Sequence, residues 1–193
     1  MQITSIILAA GSSTRMGTDK AMLKINGQTL LDIILTNVLP FSEFVIVVCG
    51  KNFSTLKKLK YPRSVELIRN PKPHRGMFSS LQIATKEVVT FYALIHPIDL
   101  PFIKQSTYQK LINALNEEQI AFIPTLSTKK RSGHPIIINR LLMEIINHTD
   151  IDSNLRNILH SLSPKAIKPI PVKDPHILDN INTPEDLNNI LSP

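Results

Sequence analysis

Short, nearly unbroken apolar runs alternate along the chain with stretches whose apolar residues return about every three or four positions. Residues 3–10, 44–49, 65–68 and 91–95 are of the first kind, the pattern of strands buried on both faces. Shorter strands are expected near 120–123, 136–138 and 167–170. The second kind predicts helices over 29–39, stopped by Pro40, over 77–86 just after Gly76, and over 106–116, where Tyr108, Leu111, Ile112 and Leu115 share one face. Two further helices fit 141–147 and 155–162. A closing helix runs from about Pro184 to Leu191, with Thr183 as N-cap and Asp186 placed to complete a capping-box-like pair. Asn70-Pro71-Lys72-Pro73 is a loop, because its prolines disfavour helix.

Strands alternating with helices predict a single-domain, three-layer α/β/α architecture over residues 1–193, built on a mostly parallel, doubly wound sheet. No repeat, low-complexity tract or long linker divides the chain. In sheets of this type ligands bind beyond the carboxyl ends of the strands, and the polar motifs fall at such ends.

Composition narrows the picture. The 193 residues, 42% hydrophobic and 19% charged, are ordinary for a globular domain with a real core. The apolar runs fall far short of the ~20 residues of a membrane span, so no membrane role is expected. No basic stretch precedes an apolar run at the start, so a secretory signal is not expected. The one cysteine, Cys49, sits in an apolar strand-like run and cannot pair internally, which fits a reducing, cytoplasmic setting. A net charge of +7 and a pI near 9.6 suit a polyanionic partner. Scattered lysines, 5% aromatics and no Trp argue against nucleic acid and for a small phosphorylated substrate.

The chemistry-bearing signal is Leu8-Ala9-Ala10-Gly11-Ser12-Ser13-Thr14-Arg15-Met16-Gly17-Thr18-Asp19-Lys20. Glycine after a buried strand lets backbone approach a ligand, successive N–H groups can cradle phosphate oxygens, and Arg15 and Lys20 add positive charge. It is neither a P-loop, since Gly17 is followed by Thr18-Asp19, nor a G-x-G-x-x-G fingerprint. Gly76-Met77-Phe78-Ser79-Ser80-Leu81 offers backbone N–H groups and hydroxyls at a helix start, suited either to capping or to a polar ring. Asp99, after an apolar strand, can cap a turn or bind Mg²⁺ together with phosphate oxygens. His134, in Gly133-His134-Pro135, is structural, an acid/base, or a phosphate ligand.

The first motif resembles the signature of the molybdenum cofactor nucleotidyltransferases, within the wider MobA-like NTP transferase group and its sugar- and isoprenoid-nucleotide relatives. The resemblance implies the nucleotide-diphospho-sugar transferase-like fold. It implies nucleotide contacts from Leu8, Ala9, Ala10, Gly11 and Ser13, and a triphosphate held by Arg15 and Lys20. Asn70, Gly76, Met77, Ser79, Ser80 and Leu81 are similar to the base-reading segment of the cytidylyl branch, which implies CTP. The guanylyl branch usually carries Gly-Pro-Leu-Ala-Gly there. Asp99 matches the metal-binding aspartate, although Leu100 stands where cytidylyl members usually have Gln.

Asn180, with Asp179 as the alternative, matches a second metal position in the closing Thr-Pro-Glu-Asp-Leu segment. His134 and Arg156 are similar to acceptor-side residues. The implied activity is transfer of a nucleotidyl group, CMP first among them, to a phosphorylated acceptor of the molybdopterin type, with Mg²⁺ as cofactor, pyrophosphate as product and a transient contact with a molybdoenzyme or its chaperone. A guanylyl or sugar/alditol-phosphate transferase of the same fold, and a non-catalytic nucleotide-binding chaperone, are the competing readings.

Overall fold

Side chains of β1 (Ile3–Ala9) alternate between two apolar cores. Ile3, Ile7 and Ala9 enter one; Ile6 and Leu8 enter the other. With both faces covered, the strand reads as a continuous apolar run rather than an alternating one. Its polar members are buried and satisfied: Thr90 Oγ1 donates to Thr4 Oγ1 at 2.8 Å, and Ser5 Oγ meets Ser42 Oγ at 2.6 Å.

The computed structural model describes residues 2–11, 16–129 and 131–191. After β1 come β2 (Lys24–Ile25), β3 (Gln28–Thr29), β4 (Phe44–Cys49), β5 (Val65–Arg69), β6 (Tyr92–Pro97), β7 (Ala121–Leu126), β8 (Arg131–Ser132), β9 (Ile136–Asn139) and β10 (Ile167–Val172). The helices are α1 (Leu30–Val38), α2 (Phe53–Leu56), α3 (Met77–Glu87), α4 (Gln105–Asn113), α5 (Arg140–His148), α6 (Leu155–Ser161) and α7 (Pro184–Leu191).

The main sheet has the order β10-β7-β9-β6-β1-β4-β5, with β8 paired to β7. Strands β5, β4, β1 and β6 run parallel, as do β7 and β10, while β9 lies antiparallel between β6 and β7. Helices α1 and α4 cover one face through Leu30, Ile34, Tyr108 and Leu111. Helices α3, α5 and α6 cover the other through Phe78, Leu81, Met143, Ile146 and Ile158. The result is the three-layer, mostly parallel, doubly wound fold that the alternating pattern predicts. No helix among the described residues is long and apolar enough to cross a membrane.

Local signals explain the ends of the elements. Thr29 and Asp32 form a reciprocal capping box at the start of α1. The expected pair at α7 is present too: Thr183 Oγ1 accepts from Asp186 N at 3.2 Å, and Asp186 Oδ2 accepts from Thr183 N at 2.8 Å. The short hairpin β2–β3 around Asn26-Gly27, the single turn α2 and the two-residue β8 were not anticipated, because none is long enough to show a period. Cys49 is fully buried, and burial pushes its thiol up to about 12, leaving it an inert packing residue.

On the outer strand β10, the Val172 carbonyl accepts from Ser127 beside β7. By alternation Pro169 and Pro171 turn away from β7, which removes donors from the free edge and blunts it against pairing. Because β1 carries both cores, Ile7→Ala is expected to cost about 3 kcal/mol in urea unfolding, the scale for emptying a fully buried position. A cost under about 1 kcal/mol would mean that the sheet does not depend on that strand.

Candidate active site

The parallel strands β1, β4, β5 and β6 all end at one crevice, with a volume of about 1320 Å³. Ligand sites commonly run to about 300–1,000 Å³, so a nucleotide fits with room for a second reactant. Lysine and arginine side chains (Lys20, Lys51 and Arg69) line it together with Asp19 and Asp99.

The loop after β4, drawn across the end of β1, shapes its floor. Gly50, just past β4, lies so close to β1 that a Cβ there would sit 2.6 Å from the Ala10 carbonyl oxygen; only glycine fits. Asn52 then binds the two strand ends together. Its Oδ1 accepts from Gly50 N at 2.9 Å, while Nδ2 donates to the Ala9 carbonyl at 3.1 Å and to Asp19 Oδ1 at 3.2 Å. Asp19 in turn caps the short turn that carries Lys20, accepting from Ala21 N at 3.0 Å. Asn52 carries no motif in the sequence. Its role exists only because β1 and β4 are neighbours.

Of the residues expected in the first motif, Leu8, Ala10, Gly11 and Lys20 line the crevice. Ala9 supports from below through its carbonyl. Ser13 and Arg15 lie outside the described residues.

At the second motif, Asn70 Nδ2 donates to Ser79 Oγ and Ser80 Oγ, each at 2.9 Å, and Asn70 Oδ1 accepts from Lys72 N at 2.8 Å. Asn70 therefore spends its amide on folding the loop. Ser79 donates to the Gly76 carbonyl at 2.8 Å and is turned away, and Leu81 is in the core below α3. Ser80, Gly76, Asn70 and Met77 face the crevice. Helix α3 has no side-chain cap, so its first N–H groups are open to a ligand, and Met77 is 55% exposed at the rim, where a flat ring could stack.

Asp99 stands in the turn after β6. Its backbone is clamped by the neighbouring Ile98 N, which donates to Leu8 O at 3.2 Å, and by Ile181 N, which donates to Asp99 O at 2.8 Å. One carboxylate oxygen, Oδ2, lies 3.5 Å from Lys20 Nζ, and Lys20 Nζ also donates to Asn182 Oδ1 at 2.9 Å. The other, Oδ1, is buried with no hydrogen-bond partner. A carboxylate with one oxygen unpartnered and the other sharing a cation with an amide oxygen offers hard-oxygen donors suited to a divalent ion such as Mg²⁺ or Mn²⁺.

The structure brings Asn182, rather than the expected Asn180, to this point. Asn180 is exposed and absent from the lining, and Asp179 pairs with His176 at 3.1 Å. The reason is local: the capping carboxylate of Asp186 accepts from Asn182 N at 2.9 Å and turns that residue inward. These backbone bonds, Asn182 first, also hold the Asp186 carboxyl below the usual range.

Near enough to Asp99 to feel its charge, His134 is nevertheless not among the residues lining the crevice. Burial lowers its pKa, only partly offset by the Asp99 charge and a backbone bond at Ile95, so the ring is neutral at neutral pH. Its Nδ1 is buried and unpartnered. A neutral imidazole can exchange a hydrogen bond with an acceptor group, but it offers no imidazolium charge for phosphate. Arg156 is exposed on α6 and is not among the residues lining the crevice.

His96, at the end of β6, is fully buried; its Nδ1–H donates to the Pro97 carbonyl at 2.8 Å, and Nε2 accepts from Tyr108 O–H at 2.8 Å. Burial drives its pKa down to about 4. Between about pH 6.5 and 4 the unfolded chain therefore takes up a proton that folded His96 refuses, and stability falls as pH falls. The expected loss from this residue between pH 7 and pH 5 is about 2 kcal/mol in urea unfolding, and His96→Gln should shrink it. An unchanged pH slope in that variant would remove His96 as the source.

Comparison with known proteins identifies the family and the fold. The family model of the MobA-like NTP transferase domain matches residues 5–166. The chain is similar to the molybdenum cofactor cytidylyltransferase of Escherichia coli strain K12, at 28% identity over 95% of this chain and 93% of that protein. It is similar at 26% identity to a probable molybdenum cofactor guanylyltransferase of Natranaerobius thermophilus, over 96% and 93% of the two chains. Among solved structures, Rv0371c of Mycobacterium tuberculosis superposes with a TM-score of 0.82 at 19% identity, covering 99% of this chain and 98% of that one, which shows the shared fold. The manganese complex of Rv0371c superposes at 0.78, with 18% identity, covering 99% of this chain and 98% of that one.

Proposed function

The chain belongs to the MobA-like NTP transferase domain family, and from that premise we propose that it transfers CMP from CTP to a molybdopterin-type acceptor. The observation that carries the reading is the convergence of Asp99, Asn182 and Lys20 on the crevice that also holds the open start of α3.

A phosphate oxygen of the acceptor attacks the α-phosphorus of the nucleotide. The bond from that phosphorus to the bridging oxygen of the β-phosphate breaks, and pyrophosphate leaves with the electron pair. Positioning and charge neutralisation supply most of such catalysis. Asp99 and Asn182 would hold Mg²⁺, which when bound contributes charge neutralisation at the phosphate oxygens. Lys20 pairs with the departing pyrophosphate, and Arg15 is assigned the same task from the motif. Gly11 and Ala10 let the backbone approach the nucleotide, and Gly50 with Asn52 keeps that backbone in place.

Cytosine is favoured by the Met77-to-Leu81 segment. Ser80 accepts from Asn70 and so keeps its own hydroxyl proton for a ring acceptor. A guanylyl transferase is the second reading, because relatives bearing that name match almost as well as the cytidylyl one. The acceptor enters on the His134 side of Asp99. The cytoplasm is the compartment we assign, and delivery of the product to a molybdoenzyme or its chaperone completes the reading.

Pyrophosphate release measured with CTP, GTP and UTP and a molybdopterin-bearing acceptor tests both levels. CTP should be turned over fastest; preference for GTP would transfer the reading to the guanylyl branch. Asp99→Ala should lower turnover about a thousand-fold or more while the fold persists by circular dichroism. Turnover like that of the wild type in this variant would exclude Asp99 from the reaction.

A further inference from the structure

We propose that the Lys20 ammonium is the resident counter-cation of the Asp99–Asn182 pair, and that a divalent ion can enter only by exchanging with it. The inference rests on the reading of Asp99 as a metal-binding carboxylate and adds an order of events at that site.

Three observations carry it. First, Lys20 Nζ already engages both residues assigned to the metal, through Asn182 Oδ1 at 2.9 Å and Asp99 Oδ2 at 3.5 Å, while Asp99 Oδ1, which has no hydrogen-bond partner, is buried away from solvent. Second, the contact is sheltered, with the Lys20 and Asp99 side chains 13% and 15% exposed, so solvent and salt screen it weakly. Third, both partners are held from outside. Asn182 is fixed by the Asp186 carboxylate, which itself feels the Lys20 charge, and the turn that carries Lys20 is capped by Asp19. Among the described residues, Asp99 and Asp186 are acidic groups that interact with the ammonium.

A monocation and a divalent cation cannot share the same two oxygens, because the repulsion between them at such distances exceeds what one carboxylate can offset. Lys20 must leave when the ion arrives. A lysine side chain is a compact charge on a flexible stem and can swing without moving the backbone. Its new partner is close at hand: Gly11 and Gly17 line the same crevice as Lys20, where the polyphosphate would lie. The same side chain therefore guards the carboxylate in the empty enzyme and serves the phosphates in the loaded one. Metal alone has to displace an existing ion pair, whereas nucleotide draws the lysine away.

The test is Mn²⁺ binding without nucleotide, followed by electron paramagnetic resonance of the free ion on the full chain. Lys20→Met should tighten Mn²⁺ binding about five- to ten-fold relative to wild type, the scale of losing one sheltered competing charge. Lys20→Arg, which keeps the charge, should not tighten it. Lys51→Met, which removes a lysine elsewhere in the crevice, should change it less than about two-fold. Unchanged affinity in Lys20→Met, or equal tightening in Lys51→Met, overturns the exchange even if Asp99→Asn abolishes binding and the metal site stands. Mn²⁺ binding that survives Asp99→Asn at full strength overturns the metal reading itself. Thermal unfolding of each variant separates loss of fold from loss of the contact.

Discussion

Strand β1 is paired on both edges and buried on both faces, and most of the molecule follows from that constraint. A strand so enclosed must be apolar along its length, and it meets solvent only at its end. Its neighbours β4 and β6 run the same way and finish at the same level, so their polar loops converge there without any further design. The crevice is the price of ending parallel strands together. Gly50, packed against the Ala10 carbonyl, shows how tightly the loop after β4 is drawn in.

Charge is the second organising force. Asp99 is tucked beneath the loops with one oxygen lacking a partner, an arrangement that is unfavourable unless a cation is at hand. The protein meets this need from a distant part of the chain, through Lys20, and steadies the contact through Asn182. The proposed metal and polyphosphate site is thus kept electrostatically balanced by the chain's own lysine. The neighbouring histidines, His96 fully buried and His134 partly so, are held neutral by desolvation and add no further cations there.

The reversed strand β9 and the closing segment 179–186 bring the second half of the chain back to this centre. β9 inserts antiparallel between β6 and β7, and Ile181 N reaches Asp99 O directly. The second half therefore contributes few motifs yet completes the cluster around Asp99. It does so through backbone placement, which leaves little trace in residue type.

Apolar runs and helical periodicity were sufficient to read the layers, the long strands, the main helices and the α7 cap, because burial on two faces, or on one stripe, writes a period directly into the chain. The motif at 8–20 and Asp99 stood out chiefly through resemblance to the family's signature, because a glycine after a strand can serve only as a turn and a lone aspartate there can simply cap one. Tertiary structure alone decided that Asn182 and not Asn180 faces Asp99, that Asn70 spends its amide on Ser79 and Ser80, that Arg156 stays exposed, and that Asn52 joins β1 to β4. Those outcomes depend on which groups meet across the sheet and on which way a turn aims a side chain, and neither quantity is carried by spacing along the chain.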